Sequence, residues 1–296
     1  MQPKVWIGMG GWELPPFKKY FYPPKPKKTF RKLEYYSQYF DSIEVNSSFY
    51  NASLQPHHSQ QWLSDVSGNK EFMFTVKLYR GFTHTFDATK GDVKTVHQLL
   101  GPLADADKLG GLVIQFPYSF FYTPERNEYV ERLGKAFKAH RIFVEFRHKS
   151  WNNSAITQFL AGNNLHSINV DMPQIKNHSP FTNIASGGVV YYRMMGRNAV
   201  TWSNPMEGER YDYDYSEEEL MELVKRIQEM RKKLNSVFVV FHNDPGANSL
   251  VNGFQLRHLL HQAPRHMVPQ GLVYVCPELK QISASVDIKH PLFEEV

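Results

Sequence analysis

Glu44, Lys77, Glu145, Arg147, Asp171 and Arg193 lie within or at the ends of short apolar runs, where a buried core would take Val, Ile or Leu. Carboxylates so placed serve as general acids, general bases or metal ligands. Arginines so placed clamp phosphate or carboxylate groups. Two stretches show the pattern best. One is Ser42-Ile43-Glu44-Val45-Asn46-Ser47-Ser48-Phe49-Tyr50, the other Phe143-Val144-Glu145-Phe146-Arg147-His148-Lys149-Ser150-Trp151. In a strand, successive side chains point to opposite faces. Glu44, Glu145 and Arg147 then share one face, with Ile43, Val45, Val144 and Phe146 on the other. A buried charge without a partner is costly. These groups must therefore pair with one another or meet a ligand. Strand order makes Lys77 a neighbour of Glu44, and Asp171 a neighbour of Arg147.

Eight apolar runs can carry such residues: Val5–Gly8, Ser42–Asn46, Phe72–Lys77, Leu112–Gln115, Ile142–Arg147, His166–Asp171, Val189–Arg193 and Val237–Phe241. Helical patterns separate most of them. They span Thr29 to Phe40, Pro56 to Val66, Asp92 to Ala104, Pro124 to Ala139, Ser154 to Gly162, Ser216 to Leu234 and Ser249 to His261. Proline at the start of the fourth and the Ser216/Glu219 capping spacing mark helix N-termini. Eight strand–helix units in one chain fit a closed parallel (β/α)8 barrel, the TIM type, better than a doubly wound sheet. Gly8-Met9-Gly10-Gly11-Trp12 lacks the G-x-G-x-x-G spacing that a dinucleotide fold would show. Residues 1–263 read as one barrel domain. Residues 264–296 read as an extension packed outside it, with the apolar run Leu272–Val275.

In such a barrel functional groups gather at the C-terminal strand ends. Counting alternate residues inward collects Glu44, Asn46, Lys77, Gln115, Glu145, Arg147, Asn169, Asp171 and Arg193 there, with His242, Asn243 and Asp244 after the eighth strand. Lys77, Arg147 and Arg193 suit an anion. Glu44, Glu145 and Asp171 suit proton transfer. His84, His148 and His242 are candidate proton shuttles, His84 among the catalytic set. Asn46, Gln115, Asn243 and Asp244 would orient a ligand, and Trp12, Tyr50 and Trp151 would wall the pocket. A network of structural ion pairs is the plainer account of the same charges. A divalent metal is conceivable at the carboxylates, but no H-x-H or H-E-x-x-H motif indicates one, and the adjacent His57 and His58 point apart.

The 296 residues carry a formal charge of +5 and 42% hydrophobic residues. That balance favours a polar, anionic small molecule as partner without establishing it. Lys18, Lys19, Lys25, Lys27, Lys28, Arg31 and Lys32 interleave with Tyr20, Phe21, Tyr22, Phe30, Tyr35 and Tyr36, a composition that suits a nucleic-acid groove or a solvated loop and amphipathic helix. No apolar stretch is long enough for a membrane span, and the N-terminal apolar run is too short for a signal peptide, so a cytoplasmic protein is expected. The single cysteine, Cys276, excludes an intrachain disulfide. In that compartment the sequons at Asn46 and Asn152 carry no glycan.

Motifs in order along Val5 to Leu260 resemble the domain-of-unknown-function-72, or YecE-like, family. They are Ile7-Gly8-x-x-Gly11-Trp12, Phe21-Tyr22-Pro23, Glu44-Val45-Asn46-Ser47-Ser48-Phe49-Tyr50, Phe74-Thr75-Val76-Lys77 with Thr83-His84, and Gln115-Phe116-Pro117. Then follow Val144-Glu145-Phe146-Arg147-His148-x-Ser150-Trp151, Tyr192-Arg193-x-x-Gly196, Tyr215-Ser216-x-Glu218-Glu219-Leu220, and Phe241-x-Asn243-Asp244 with Asn252. The resemblance implies a TIM-type barrel with no assigned activity. By fold analogy alone, hydrolase or isomerase chemistry is conceivable, since the barrel is similar to those of sugar isomerases and endonuclease-IV-like enzymes. The chain departs from the family pattern at Met195 and His242, where a histidine and an asparagine are usual, and at Gly10, Lys149 and Gly253. Three functional readings follow: an enzyme-like barrel binding an anionic ligand, metal-assisted sugar or phosphodiester chemistry, and a non-catalytic nucleic-acid-binding protein.

Overall fold

Eight runs of β-branched and aromatic residues form parallel strands: β1 (Lys4–Met9), β2 (Ser42–Val45), β3 (Met73–Lys77), β4 (Leu109–Gln115), β5 (Ile142–Glu145), β6 (Leu165–Asp171), β7 (Val189–Met194) and β8 (Ser236–Phe241). They pair in chain order, and β1 pairs with both β2 and β8, which closes the barrel. The computed structural model describes residues 3–202, 204, 209–262, 268–282 and 286–287. Helices such as Lys90–Asp105, Pro124–Ala136, Ser154–Gly162, Glu217–Met230 and Asn248–Leu259 lie between and after the strands. This is the TIM-type fold expected from the strand count.

Local signals set the helix boundaries. Thr89, Thr123, Asn153 and Ser216 each accept a hydrogen bond from a backbone amide of the first turn. The expected Ser216/Glu219 capping box is present in both directions. The helix expected from Thr29 is shorter, Lys32–Ser37. Ser47–Tyr50, read as the polar end of a strand, forms one helical turn. The proline-rich loop after β1 contains a short helix, Pro15–Tyr20.

The core has two layers. Outward-facing strand residues, among them Ile43, Val45, Val144, Phe146, Val237 and Val239, pack against the helices. Inside the barrel, Trp6, Met73, Val113, Phe143, Ile168, Val170, Tyr191, Phe238 and Val240 form a second cluster. Trp6 stacks on Phe238, and Phe143 lies against Tyr191. A Cβ on Gly110 would lie 2.9 Å from the Phe238 ring, so the glycine leaves space for these rings. They fill the barrel from its N-terminal end and leave the C-terminal end for polar groups.

On β6 the inward parity differs from the expected one. Ile168 and Val170 face the barrel cluster, which turns Asn169 and Asp171 outward. Sequence alternation alone cannot tell which of two faces is the inner one, and the polar face looked like part of the ring. Its partners lie outside. The Asn169 side chain bonds the backbone of Ile184 and the Thr182 hydroxyl. Asp171 accepts two bonds from Arg197, at 2.9 and 3.0 Å.

Beyond the barrel, helix Gln270–Val275 buries Gly271, Leu272 and Val273. A Cβ on Gly271 would come within 2.3 Å of the Tyr20 carbonyl oxygen, so this segment presses closely on helix Pro15–Tyr20. Among the described residues, no helix is long and apolar enough to cross a membrane.

Candidate functional site

Arg193, buried at the end of β7, is the centre of the strand-end ring. Its Nη2 donates to Glu44 Oε1 at 2.6 Å, its Nη1 to Glu145 Oε2, and its Nε to His242 Nε2 at 2.9 Å. Arg147 Nε donates to the other Glu145 oxygen at 2.8 Å. The Tyr191 hydroxyl donates to Glu44 Oε2 at 2.7 Å and lies 3.1 Å from the Thr75 hydroxyl. Both carboxylates are wholly buried and accept charge-assisted bonds on both oxygens. The pairs anticipated from strand order, Lys77 with Glu44 and Asp171 with Arg147, are replaced by Arg193 and Arg197.

Burial alone would raise both glutamate pKa values. The Arg193 charge overrides it, holding Glu44 well below the usual carboxylate range and Glu145 down to about 2. A carboxylate that stays ionised and has both oxygens occupied is poorly placed to exchange protons near neutrality. Glu44 and Glu145 therefore form the floor that fixes Arg193 and Arg147, rather than the proton-transfer groups the sequence suggested.

Above this floor opens a cavity of about 940 Å³. Among the described residues, Lys77, Arg80, Arg147, Lys176, Arg193 and Arg210 line it, against one carboxylate, Asp244. Asn46, Gln115, His84 and His242 also face it, with Tyr50 at the rim. The Asn46 amide nitrogen donates to Gly10 O at 2.7 Å, while its enclosed Oδ1 has no hydrogen-bond partner. Gln115 donates to Phe116 O. The enclosed Asp244 Oδ1 also lacks a partner, and burial pushes the Asp244 pKa up to about 7.

Lys77 is the other group poised near neutrality. Burial and the Arg193 charge bring its amine down to about 7, against the opposing pull of Glu44 and Glu145. The amine lies 4.0 Å from the centre of the Phe49 ring. His84 and His242, two of the three histidines lining the cavity, are neutral at pH 7. Burial and then Lys77 hold His84 at about 4; burial and then Arg193 hold His242 at about 4. His84 Nδ1 pairs with the Thr83 hydroxyl at 2.8 Å.

Trp12, Trp151, Asn243, Asp171 and His148 lie outside the cavity lining. Trp12 packs edge-on against Trp62, 5.9 Å between ring centres. Trp151 is buried in a stack with Phe146 and Phe120 and donates to Phe120 O at 2.7 Å. Trp151 is buried in the outer core, while Trp12 packs on that core half-buried. Asn243 donates to Tyr213 O and Asn252 Oδ1, and Asn252 in turn holds Asp214 and Tyr215. It braces the loop before helix Glu217–Met230. Asp171 belongs to the Arg197 network, which also includes Glu219 and Glu222. His148, a candidate shuttle, bonds Ser150 instead.

Sequence reasoning missed Arg80, Tyr118, Lys176, His178, Trp202, Arg210 and Tyr211, all in the lining. They come from loops after β3, β4, β6 and β7, where strand parity gives no signal. Two departures from the family pattern meet in the cavity. A Cβ on Gly10 would lie 2.2 Å from the His242 ring and 3.0 Å from Asn46. The small residue at position 10 makes room for the large one at 242. Met195, where a histidine is usual, also lines the cavity.

Among the described residues, no three His, Cys, Asp or Glu side chains come together as a metal-ligand set. The basic and aromatic segment from Lys18 to Tyr36 offers few free rings. Phe21, Tyr22 and Tyr36 are buried, and Phe30 and Tyr35 pack edge-on or tilted against Tyr22 and each other.

The family model described as "Protein of unknown function DUF72" matches residues 6–273. The match extends past Leu260, where the sequence motifs end, into helix Gln270–Val275. YunF of Bacillus subtilis (strain 168), described as a UPF0759 protein, is 28% identical over 287 residues, covering 90% of this chain and 99% of that protein. A crystal structure of a DUF72 family protein from Thermotoga maritima superposes with a TM-score of 0.75 at 27% identity, over 87% of this chain and 99% of that one. A DUF72 family protein from Enterococcus faecalis gives 0.77 at 24% identity, over 87% and 96%. The chain belongs to the DUF72 family, whose function is unknown.

Proposed function

We propose that the strand-end cavity binds a small anionic, hydroxyl-bearing molecule and that the protein is an enzyme acting on it. The observation that carries this reading is the lining: among the described residues, six basic side chains and one carboxylate around about 940 Å³. Glu44 and Glu145 neutralise only the charge of Arg193 and Arg147 behind it. The remaining cations, Arg80, Lys176 and Arg210 with Lys77, call for negative charge from a ligand. Arginine forks suit carboxylate or phosphate. Asn46 and Gln115 on the same lining offer polar side chains to ligand hydroxyls.

Proton transfer falls to Asp244 and Lys77. A general acid or base works best with a pKa near the operating pH, and these two groups meet that condition at about 7. The test is a thermal-unfolding screen at fixed ionic strength, comparing sugar phosphates and sugar acids with the corresponding neutral sugars. An anion present at 100 times its Kd should stabilise by about 2.7 kcal/mol. Arg210→Met should weaken that effect. Equal shifts from neutral and anionic compounds, or none from either, would contradict the reading.

A further inference from the structure

We propose that Lys77 forms a covalent imine with an aldehyde or ketone carried by the anionic ligand, so that the cavity is a Schiff-base site for small carbonyl acids or carbonyl phosphates. The inference rests on the anion-binding reading and adds the reacting group.

The geometry isolates one amine for this task. Lys77 closes β3, and its carbonyl accepts a 2.6 Å bond from the Ser48 hydroxyl, which also donates to Val45 O. The backbone is thus tied to the turn after β2. The side chain lies on the Phe49 ring and reaches the cavity. Among the described residues, its amine makes no hydrogen bond or ion pair. Glu44 and Glu145 would be its natural partners, but Arg193 and Arg147 occupy them.

The charged groups around the amine are Arg193 from β7, Glu44 from β2, and Glu145 and Arg147 from β5. His84 and His242 also feel its charge. Burial and Arg193 outweigh the two carboxylates and leave much of the amine as free base near pH 7. A desolvated lysine beside another cation is a known route to a nucleophilic amine. The neighbouring arginines would meanwhile hold the ligand's anionic group.

The step balances without a redox partner. The Lys77 nitrogen lone pair attacks the carbonyl carbon, a C–N bond forms, and the C=O π pair moves to oxygen. That oxygen takes a proton and the nitrogen gives one up, both exchanged with water in the open cavity, which leaves a neutral carbinolamine. The carbinolamine hydroxyl takes a second proton and leaves as water while the nitrogen pair closes the C=N bond, and the iminium nitrogen returns its remaining proton to water. Amine and carbonyl give imine and water.

The experiment is reductive trapping of the full chain at pH 7 with glyoxylate and sodium cyanoborohydride, followed by peptide mass spectrometry. Neutral glycolaldehyde is the matched control. At pH 7 about half of the Lys77 amine is free base, against fewer than about one in a thousand for an ordinary lysine, so labelling at Lys77 should be at least about tenfold faster than at surface lysines. Glyoxylate should label faster than glycolaldehyde, and Lys77→Arg should remove the fast adduct. Adducts spread evenly over surface lysines, or an unlabelled Lys77, would overturn the imine. The anion-induced thermal shift, measured on the same sample, separates the two ideas. If the shift persists without a Lys77 adduct, the imine fails and anion binding stands. If both are absent, both fail.

Discussion

Replacing Arg193 by Met strikes the group on which the ring depends. Arg193 is 1% exposed, and its two carboxylate partners are 0% exposed. The substitution keeps much of the side-chain volume but removes the cation, leaving Glu44 with Tyr191 and Glu145 with Arg147. Breaking a buried ion pair on one side costs about 3–5 kcal/mol. For a domain of this size that corresponds to a fall of roughly 6–20 °C in melting temperature. The pH dependence sharpens the test. In the wild type both glutamates titrate below their unfolded values, so their contribution is present above about pH 4.5 and lost as pH falls through the folded pKa. Without Arg193 the burial of Glu44 has no arginine set against it and its pKa rises above the unfolded one, while Glu145 keeps Arg147. The penalty then applies at neutral pH and is relieved as pH falls. The gap between R193M and wild type should therefore narrow toward pH 5, as read from thermal or urea unfolding followed by circular dichroism. The double variant R193M/E44Q should recover part of the loss at pH 7, because it removes the carboxylate left without an arginine while Glu145 keeps Arg147. A stability within about 1 kcal/mol of wild type at pH 7, or a gap that does not change with pH, would refute the assignment of Arg193 as the keystone of the ring.

Further outcomes follow from the same geometry. Gly10→Ser should destabilise by about 1–3 kcal/mol through overpacking against His242, and adding His242→Asn should restore most of it; equal losses with and without the second change would break the link. Trp151→Ala should cost about 3–5 kcal/mol while leaving anion affinity unaltered, since the ring lies in the outer core. Lys77 has a folded pKa below its unfolded one, so wild-type stability should rise between about pH 7 and 9. Lys77→Met should flatten that rise and stabilise at pH 7 by roughly 0.5–2 kcal/mol; an unchanged pH profile in the variant would place the amine in solvent.

Strand number, order and the closed barrel were legible because each strand is a short run of β-branched and aromatic residues bounded by helix signals. The inward set was legible on β2, β3, β5 and β7, where a charge stands among apolar residues. It misled on β6, where both faces look plausible and only packing chooses. Motif aromatics were harder to assign. Trp12, Tyr50 and Trp151 share a sequence neighbourhood with the ring, yet Tyr50 is 71% exposed at the rim while Trp151 is 4% exposed in the core. Aromatic identity does not encode that difference. Half of the cavity's cations were legible, Lys77, Arg147 and Arg193, while Arg80, Lys176 and Arg210 were not, because they come from loops without periodicity. The division of labour between Glu44 or Glu145 and Asp244 or Lys77 was also hidden. It depends on which carboxylate receives the arginine, a matter of three-dimensional distance.

The most direct test of anion binding at the strand ends is diffraction from crystals soaked with a small sugar phosphate. The anionic group should appear among Lys77, Arg147, Arg193 and Arg210, with ligand hydroxyls near Asn46 and Gln115. A well-ordered cavity holding only solvent at saturating ligand, or the ligand bound solely at surface lysines, would contradict the account.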